Sequence, residues 1–246
     1  MKKFIAAIFI ILLGNSAIAQ EQDITPLFKK ITEMANTGEA EAAYHLGMFY
    51  SNGIGVEQDA KEAFRWFKIA ANKNDPLAAY ELGAFYAGKH EDVAESDAES
   101  AFRTIKKSAQ AGYSMAEYDI GVMYLNFSNG TMGARYMERA AKQGHPMAYQ
   151  TLSLLYFRGD MTARDMIKSR GYLKLFINTV GEATGAQYAG VITQIEENMS
   201  AEDIQTSDAF IANWTVEETE LSARANKGLM RSFEYAGFRA PQQQMD

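Results

Sequence analysis

Between residues 27 and 199, apolar residues recur with the period of an α-helix, and Gly, Asn, Asp and Pro cut the helical stretches at short intervals. Leu27, Phe28, Ile31, Met34 and Ala35 share one face of a predicted helix over 27–36, with Pro26 at its start and Gly38 past its end. A second helix, over 39–50, places Ala43, Leu46, Gly47 and Tyr50 at i, i+3, i+4 and i+7, the spacing of a buried stripe. Asn52-Gly53-Ile54-Gly55 then turns the chain, because its glycines accept positive φ. A third helix, over 60–72, buries Ala63, Phe64, Phe67, Ala70 and Ala71, with Trp66 on the adjoining edge, and Asn74-Asp75-Pro76 ends it.

This helix pair repeats. The stretch AAYHLGMFY (42–50) returns as AAYELGAFY (78–86), AEYDIGVMY (116–124) and, more loosely, AYQTLSLLY (148–156). A unit recurring every 30-odd residues implies an all-α solenoid of stacked helix pairs rather than one globular core. The frame is a half-unit at 26–41, units at 42–77, 78–115, 116–147 and 148–185, and a partial unit at 186–199. Gly47, Gly83 and Gly121 recur inside the first helix of the pair, where glycine costs about 1 kcal/mol relative to alanine. Close approach of a neighbouring helix backbone is the expected reason. Unit lengths differ in the connecting loops, where added residues cost little closure entropy. These loops are the acidic stretch 89–99, the Asn129-Gly130 turn and a connection holding Arg158-Gly159-Asp160.

The array decays toward its end. In the fourth unit Gln150 replaces the tyrosine and Ser153 the glycine, with a second helix expected over 171–180. One more first helix is expected over 186–199, with Tyr188 in the tyrosine position. Ser200-Ala201-Glu202-Asp203 resembles a capping box that opens a terminal helix within 200–216. Ile204, Ile211 and Trp214 are placed to seal the end of the stack, as repeat arrays require. Residues 217–246 read as an additional helix or a disordered tail, disordered from Pro241 onward.

The pattern A-x-Y-x-L-G-x-x-Y, a Gly-rich turn with Asp and Lys, then A-x-x-W and A-A, resembles the Sel1-like repeat. Ala42, Tyr44, Leu46, Gly47, Tyr50, Gly53, Gly55, Val56, Asp59, Lys61, Ala63, Trp66, Ala70 and Ala71 carry it in the first unit. The second unit keeps Ala78, Tyr80, Leu82, Gly83, Tyr86 and Gly112, and the third keeps Ala116, Tyr118, Gly121, Tyr124, Ala140, Ala141 and Gly144. The resemblance implies a right-handed α/α superhelix related to tetratricopeptide repeats, acting as an adaptor or scaffold for protein complexes. Among exported bacterial members it implies regulators of envelope signalling, host-interaction factors and immunity proteins that neutralise a secreted effector. Some Cys-rich relatives were described as penicillin-binding; this chain has no Cys, so that inference does not carry over.

If the tetratricopeptide analogy holds, the residue after the alanine stripe points into the groove formed by the first helices. That selects Tyr44, Met48, Tyr80, Ala84, Tyr118, Val122, Gln150 and Leu154 as candidate partner-binding residues. The three tyrosines offer rigid aromatic area with a hydroxyl each, suited to a peptide or helix, or they pack between neighbouring units. The 89–99 loop, with Glu91, Asp92, Glu95, Asp97 and Glu99, offers negative charge to a basic partner as an alternative.

Catalytic signatures are scarce. Gly83 to Lys89 has phosphate-loop spacing, but His90 stands where Ser or Thr must hold magnesium and no strand precedes it. His45, His90 and His145 fall in three different units without a second His at metal spacing. No G-x-S-x-G or S-x-x-K occurs, so an envelope hydrolase, the third reading, has no motif behind it. A non-enzymatic protein that requires no cofactor or metal is the expectation.

The chain opens with the layout of a secretory signal peptide: Lys2-Lys3, an apolar run from Phe4 to Leu13, and Ala17-Ile18-Ala19 before Gln20. Cleavage after Ala19 and a periplasmic address are expected, because the run is about half of the ~20 residues that span a bilayer. The formal net charge of −7 becomes −9 once the two leader lysines are gone, which disfavours nucleic acid or an anionic membrane as partner. The leading functional expectation is therefore an envelope adaptor or regulator that holds a protein partner, with an immunity protein as the alternative.

Overall fold

A computed structural model describes residues 23–240; the leader expected over 1–19 and the tail from Pro241 lie outside the described residues. Every regular element among the described residues is helical. Helix α1 is Thr25–Asn36, followed by α2 Ala40–Asn52, α3 Ala60–Asn72 and α4 Pro76–Ala84, which runs on through a wide π-helical turn at Phe85–Lys89. Then come α5 Ala98–Gln110, α6 Ser114–Asn126, α7 Gly130–Lys142, α8 Pro146–Arg158 and α9 Met166–Val180. Shorter elements close the chain: α10 Glu182–Gly185, a 3-10 turn at Ala186–Tyr188, α11 Ala189–Glu196, α12 Ala201–Ala212, α13 Glu220–Asn226 and α14 Leu229–Tyr235.

Polar caps punctuate these helices, one of them, at Ser200, where the sequence suggested it. Asp59 accepts from the Lys61 and Glu62 amides to open α3, and Asp75 accepts from the Ala78 amide in α4. Asp97, at the end of the acidic loop, accepts from Glu99 and Ser100 at the start of α5. Ser200 and Asp203 form the expected reciprocal capping box of α12. Helices α1 and α2 shift by one or two residues from the sequence reading, and two later boundaries differ more. Helix α9 begins at Met166 because Asp165 caps it through the Lys168 amide, and Gly171 lies inside the helix rather than at its start. The expected helix over 186–199 divides into the 3-10 turn and α11.

Consecutive helices pack as antiparallel pairs. Within pairs α2 lies on α3, α6 on α7 and α8 on α9, while α1 lies on α2, α3 on α4 and α7 on α8. The fold class is an all-α repeat solenoid. By contact density the chain divides into two compact units: unit 1 runs up to Thr104 and takes back the chain from Arg224 onward, and unit 2 is Ile105–Ala223.

In unit 1 the core holds Leu27, Ile31, Ala42, Leu46, Ala63, Phe67 and Phe85. In unit 2 it holds Ile120, Met137, Ala148, Tyr149, Leu152, Tyr172 and Phe176. Trp66, expected on an edge, is buried. The end of unit 2 is sealed by Phe210, Ile211 and Trp214, which pack on the core; the Trp214 indole donates to the Tyr149 hydroxyl at 3.0 Å. Arg170 holds this end together, donating at 2.7 Å both to Glu196 beyond α11's middle and to Asp208 on α12.

The recurring glycines do create close approach, but the approaching group is mainly a side chain. A Cβ on Gly47 would stand 2.6 Å from the Phe67 ring of α3. A Cβ on Gly121 would stand 3.0 Å from the Met137 side chain and 3.3 Å from the Gly133 carbonyl oxygen of α7. Only the second matches the backbone approach expected from sequence. Gly47→Ala should therefore destabilise unit 1 by about 1–3 kcal/mol, since the fully buried Phe67 ring must move. Gly190→Ala, on exposed α11 with open space around it, should stabilise by about 0.5–1 kcal/mol. Denaturant unfolding of both variants checks the pair of signs.

Candidate functional site

Each first helix of a pair carries one recurrent face. On α2 it reads Glu41, Tyr44, Met48; on α4 Leu77, Tyr80, Ala84; on α6 Met115, Tyr118, Val122; on α8 Met147, Gln150, Leu154. Offsets of three and seven residues keep the members of each set on one side of their helix. The sequence-predicted residues are the second and third of each set. The first, a turn nearer the helix N-terminus, was missed, although the same periodicity points to it.

In unit 2 this face is apolar and open. Met115, Met147 and Leu154 are 42 %, 45 % and 49 % exposed, where large apolar side chains are usually covered. Val122 is half-buried beside them on α6. Tyr118 stacks on the His145 ring, with centroids 4.7 Å apart, and His145 Nε2 lies 3.3 Å from the Met115 sulfur. Burial pushes the His145 pKa down, disfavouring the charged form of the stacked ring. Gln150 donates to the Tyr188 hydroxyl at 2.8 Å, so its amide braces α8 against the 3-10 turn.

In unit 1 Met48, Tyr80 and Ala84 are half-buried, while Tyr44 is buried, with its ring 6.2 Å from that of Phe67. Over Tyr44 lies the Arg224 guanidinium, 5.9 Å from the ring centroid. Arg224 also donates to Asp75 at 2.8 Å and lies 3.7 Å from Glu41, and Arg231 on α14 donates to Glu41 at 2.7 Å. Tyr235 donates to Glu39 at 2.7 Å and sets its ring 5.8 Å from that of His45. The Phe233 side chain of α14 is buried. Residues 224–238 thus form part of the site in unit 1, which the sequence left as a helix or tail.

The chain's return along unit 2 is polar and local. Glu217 donates its amide to the Lys142 carbonyl at 2.8 Å, and Thr219 donates its hydroxyl to the Gly112 carbonyl at 2.7 Å. Ser222 accepts from the Ser114 amide at 3.0 Å, capping α6, which has no cap of its own. Gln143 joins these groups to Glu117, accepting from Ser222 at 2.6 Å and donating to Glu117 at 2.8 Å. Burial raises the Glu117 pKa against the opposing pull of Arg139 and Gln143. That carboxylate is nearly inaccessible and fully partnered, which suits a structural role.

No group of three or more His, Cys, Asp or Glu among the described residues is placed to hold a metal. None of the described helices is long and apolar enough to cross a membrane. A broad depression in unit 2, lined by Glu117, Arg135, Glu138, Arg139 and Lys142, is open to solvent. The 83–90 stretch with phosphate-loop spacing lies in α4 and its π-turn, not after a strand.

Glu41 provides a pH signature for unit 1. Burial opposes its ionisation, but His45, Arg231 and Arg224 outweigh burial and hold its pKa at about 2. A depressed carboxylate pKa gives stability that is present above the unfolded-state value, about 4.5, and is lost as pH falls toward about 2. Glu41→Gln should therefore be less stable than the wild type at pH 7, and the two should converge between pH 4.5 and pH 2. Denaturant unfolding across that range reads the difference.

The Sel1 repeat family model matches residues 40–75, 76–113, 114–145 and 146–178. Each matched repeat begins on the first residue of a first helix, at Ala40, Pro76, Ser114 and Pro146. Among solved structures, a Sel1 repeat protein from Oxalobacter formigenes is similar at TM-score 0.62 and 24% identity, covering 78% of this chain and 80% of that one. A protective antigen of uropathogenic Escherichia coli with an SLR fold is similar at TM-score 0.50 and 19% identity, covering 92% of this chain and 54% of that one. An immunity protein of Pseudomonas aeruginosa matches at TM-score 0.36 and 17% identity, over 65% of this chain and 76% of that one. A search of curated proteins finds no match. Proteins of the Sel1 repeat type are in general scaffolds for protein–protein interaction, and the fold is typically non-catalytic. With four matched repeats over more than half its length, this chain belongs to the Sel1 repeat family.

Proposed function

We propose that the chain is a non-enzymatic adaptor or regulator of the bacterial envelope, which holds a protein partner on the recurrent face of its first helices. The observation that carries this reading is the open apolar stripe of unit 2. Met147 and Leu154 stand seven residues apart on α8, and Met115 occupies the equivalent position on α6. Monomeric proteins seldom leave several large apolar side chains together in water, and an amphipathic helix or extended peptide would cover them. Tyr118, fixed against His145, presents a rigid aromatic beside that stripe.

The envelope address rests on the amino-terminal pattern of Lys2-Lys3, an apolar run and Ala17-Ile18-Ala19. On this reading the mature protein recovered from the periplasm begins at Gln20, which N-terminal sequencing checks.

The face itself is tested by affinity capture from the periplasmic fraction. Met147→Glu with Leu154→Glu should reduce recovery of the partner about tenfold or more, through desolvated charge at the contact. Arg135→Glu, on the exposed side of α7, should leave recovery unchanged. Equal recovery by the folded double variant would overturn the choice of face.

A further inference from the structure

In unit 1 the recurrent face carries a ligand supplied by the chain itself. Glu39, Glu41 and Asp75 put three carboxylates at the N-terminal ends of α2 and α4, with the Tyr44 and His45 rings between them. Residues 224–235 answer each feature. Arg224 spans Asp75 and Glu41 and lies over Tyr44; Arg231 pairs with Glu41; Tyr235 bonds Glu39 and faces His45. Arginines seven residues apart, followed four residues later by a tyrosine, therefore meet acid, acid and acid-plus-aromatic in register.

The attachment has the features of a reversible contact. Helices α13 and α14 have seven residues each, below the length at which a helix persists alone in water. Gly228 lies between them with φ 51°, a conformation that favours glycine and gives the segment a joint. Phe233 is the one large apolar side chain of α14 that is fully buried, and charge-assisted hydrogen bonds from Arg224 and Arg231 supplement it.

We propose that the face of α2 and α4 in unit 1 is a recognition site for a partner-protein segment of two short, jointed helices bearing an Arg-x6-Arg-x3-Tyr pattern. In the isolated chain, residues 224–235 hold that site closed. The proposal rests on the reading of the array as a protein-binding scaffold and deepens it by naming the ligand chemistry. Arg224 spreads two nitrogens over Asp75 and Glu41, which a single lysine ammonium does not match geometrically, so an Arg-bearing segment is preferred over a merely basic one. A partner displaces the segment only by offering more than the two arginines and the tyrosine already in place, which makes release of 224–235 the gate on binding.

The test uses the full chain and a labelled peptide of residues 223–238 as the probe. The Arg224→Ala, Arg231→Ala chain should bind the peptide at least about tenfold more tightly than the wild-type chain, whose site is filled. Adding Glu41→Gln should reverse that gain, and a peptide with both arginines replaced by lysine should bind more weakly. Peptide binding to wild type and variant alike, or to neither, would overturn the proposal. Hydrogen exchange on the wild-type chain decides independently of how the variant folds. The amides of 229–235 should exchange by local opening, well ahead of those of α3. Exchange of both stretches only through global unfolding would make the segment a fixed cap and also overturn the proposal. Neither readout depends on Met147 or Leu154, so its failure is distinguishable from failure of the scaffold reading.

Discussion

The structure depends on how closely the first helix of each pair can lie on the second. At Gly47 the absence of a side chain lets the Phe67 ring sit directly on α2, and at Gly121 it brings α6 against Met137 and the Gly133 carbonyl of α7. Glycine costs about 1 kcal/mol in a helix, but burial of Phe67 or Met137 returns more than that. Once that contact is fixed, one side of the first helix is committed to the core. The side next to it, partly buried at Tyr44 and Leu77, repeats at every unit with the same register, and its chemistry is left to vary.

That variation separates the two units. On α6 and α8 the outward face ends in Met115, Met147 and Leu154 and remains open. On α2 the equivalent first position is Glu41, an acid that would repel an apolar ligand and that takes two arginines from the returning chain. The same backbone scaffold thus presents an apolar stripe in unit 2 and an acidic, aromatic cleft in unit 1.

Much of this was legible in the sequence, for physical reasons that differ by element. Helix α3 falls on its expected bounds because Asp59 is both a strong cap and the residue before the apolar period begins. Helix α9 was read five residues late, because Gly171 looks like a boundary and its true role, a slot for the Phe210 ring, is set by a helix almost forty residues away. The tyrosine positions were visible as a repeated letter. Their surroundings were not, since His145 under Tyr118 and Arg224 over Tyr44 come from other elements. The return of 224–235 onto Glu39 and Glu41 joins residues up to 196 apart in sequence, a distance at which periodicity carries no information.

The central claim is that the outward face of the first helices is where a partner sits. Site-specific photo-crosslinking in the periplasm tests it most directly, with p-benzoylphenylalanine placed at position 154 on α8, at position 115 on α6, or at position 135 on α7. The account predicts one common crosslinked partner from positions 154 and 115 and none from 135. A partner captured from position 135 but not from 154 or 115 would contradict it.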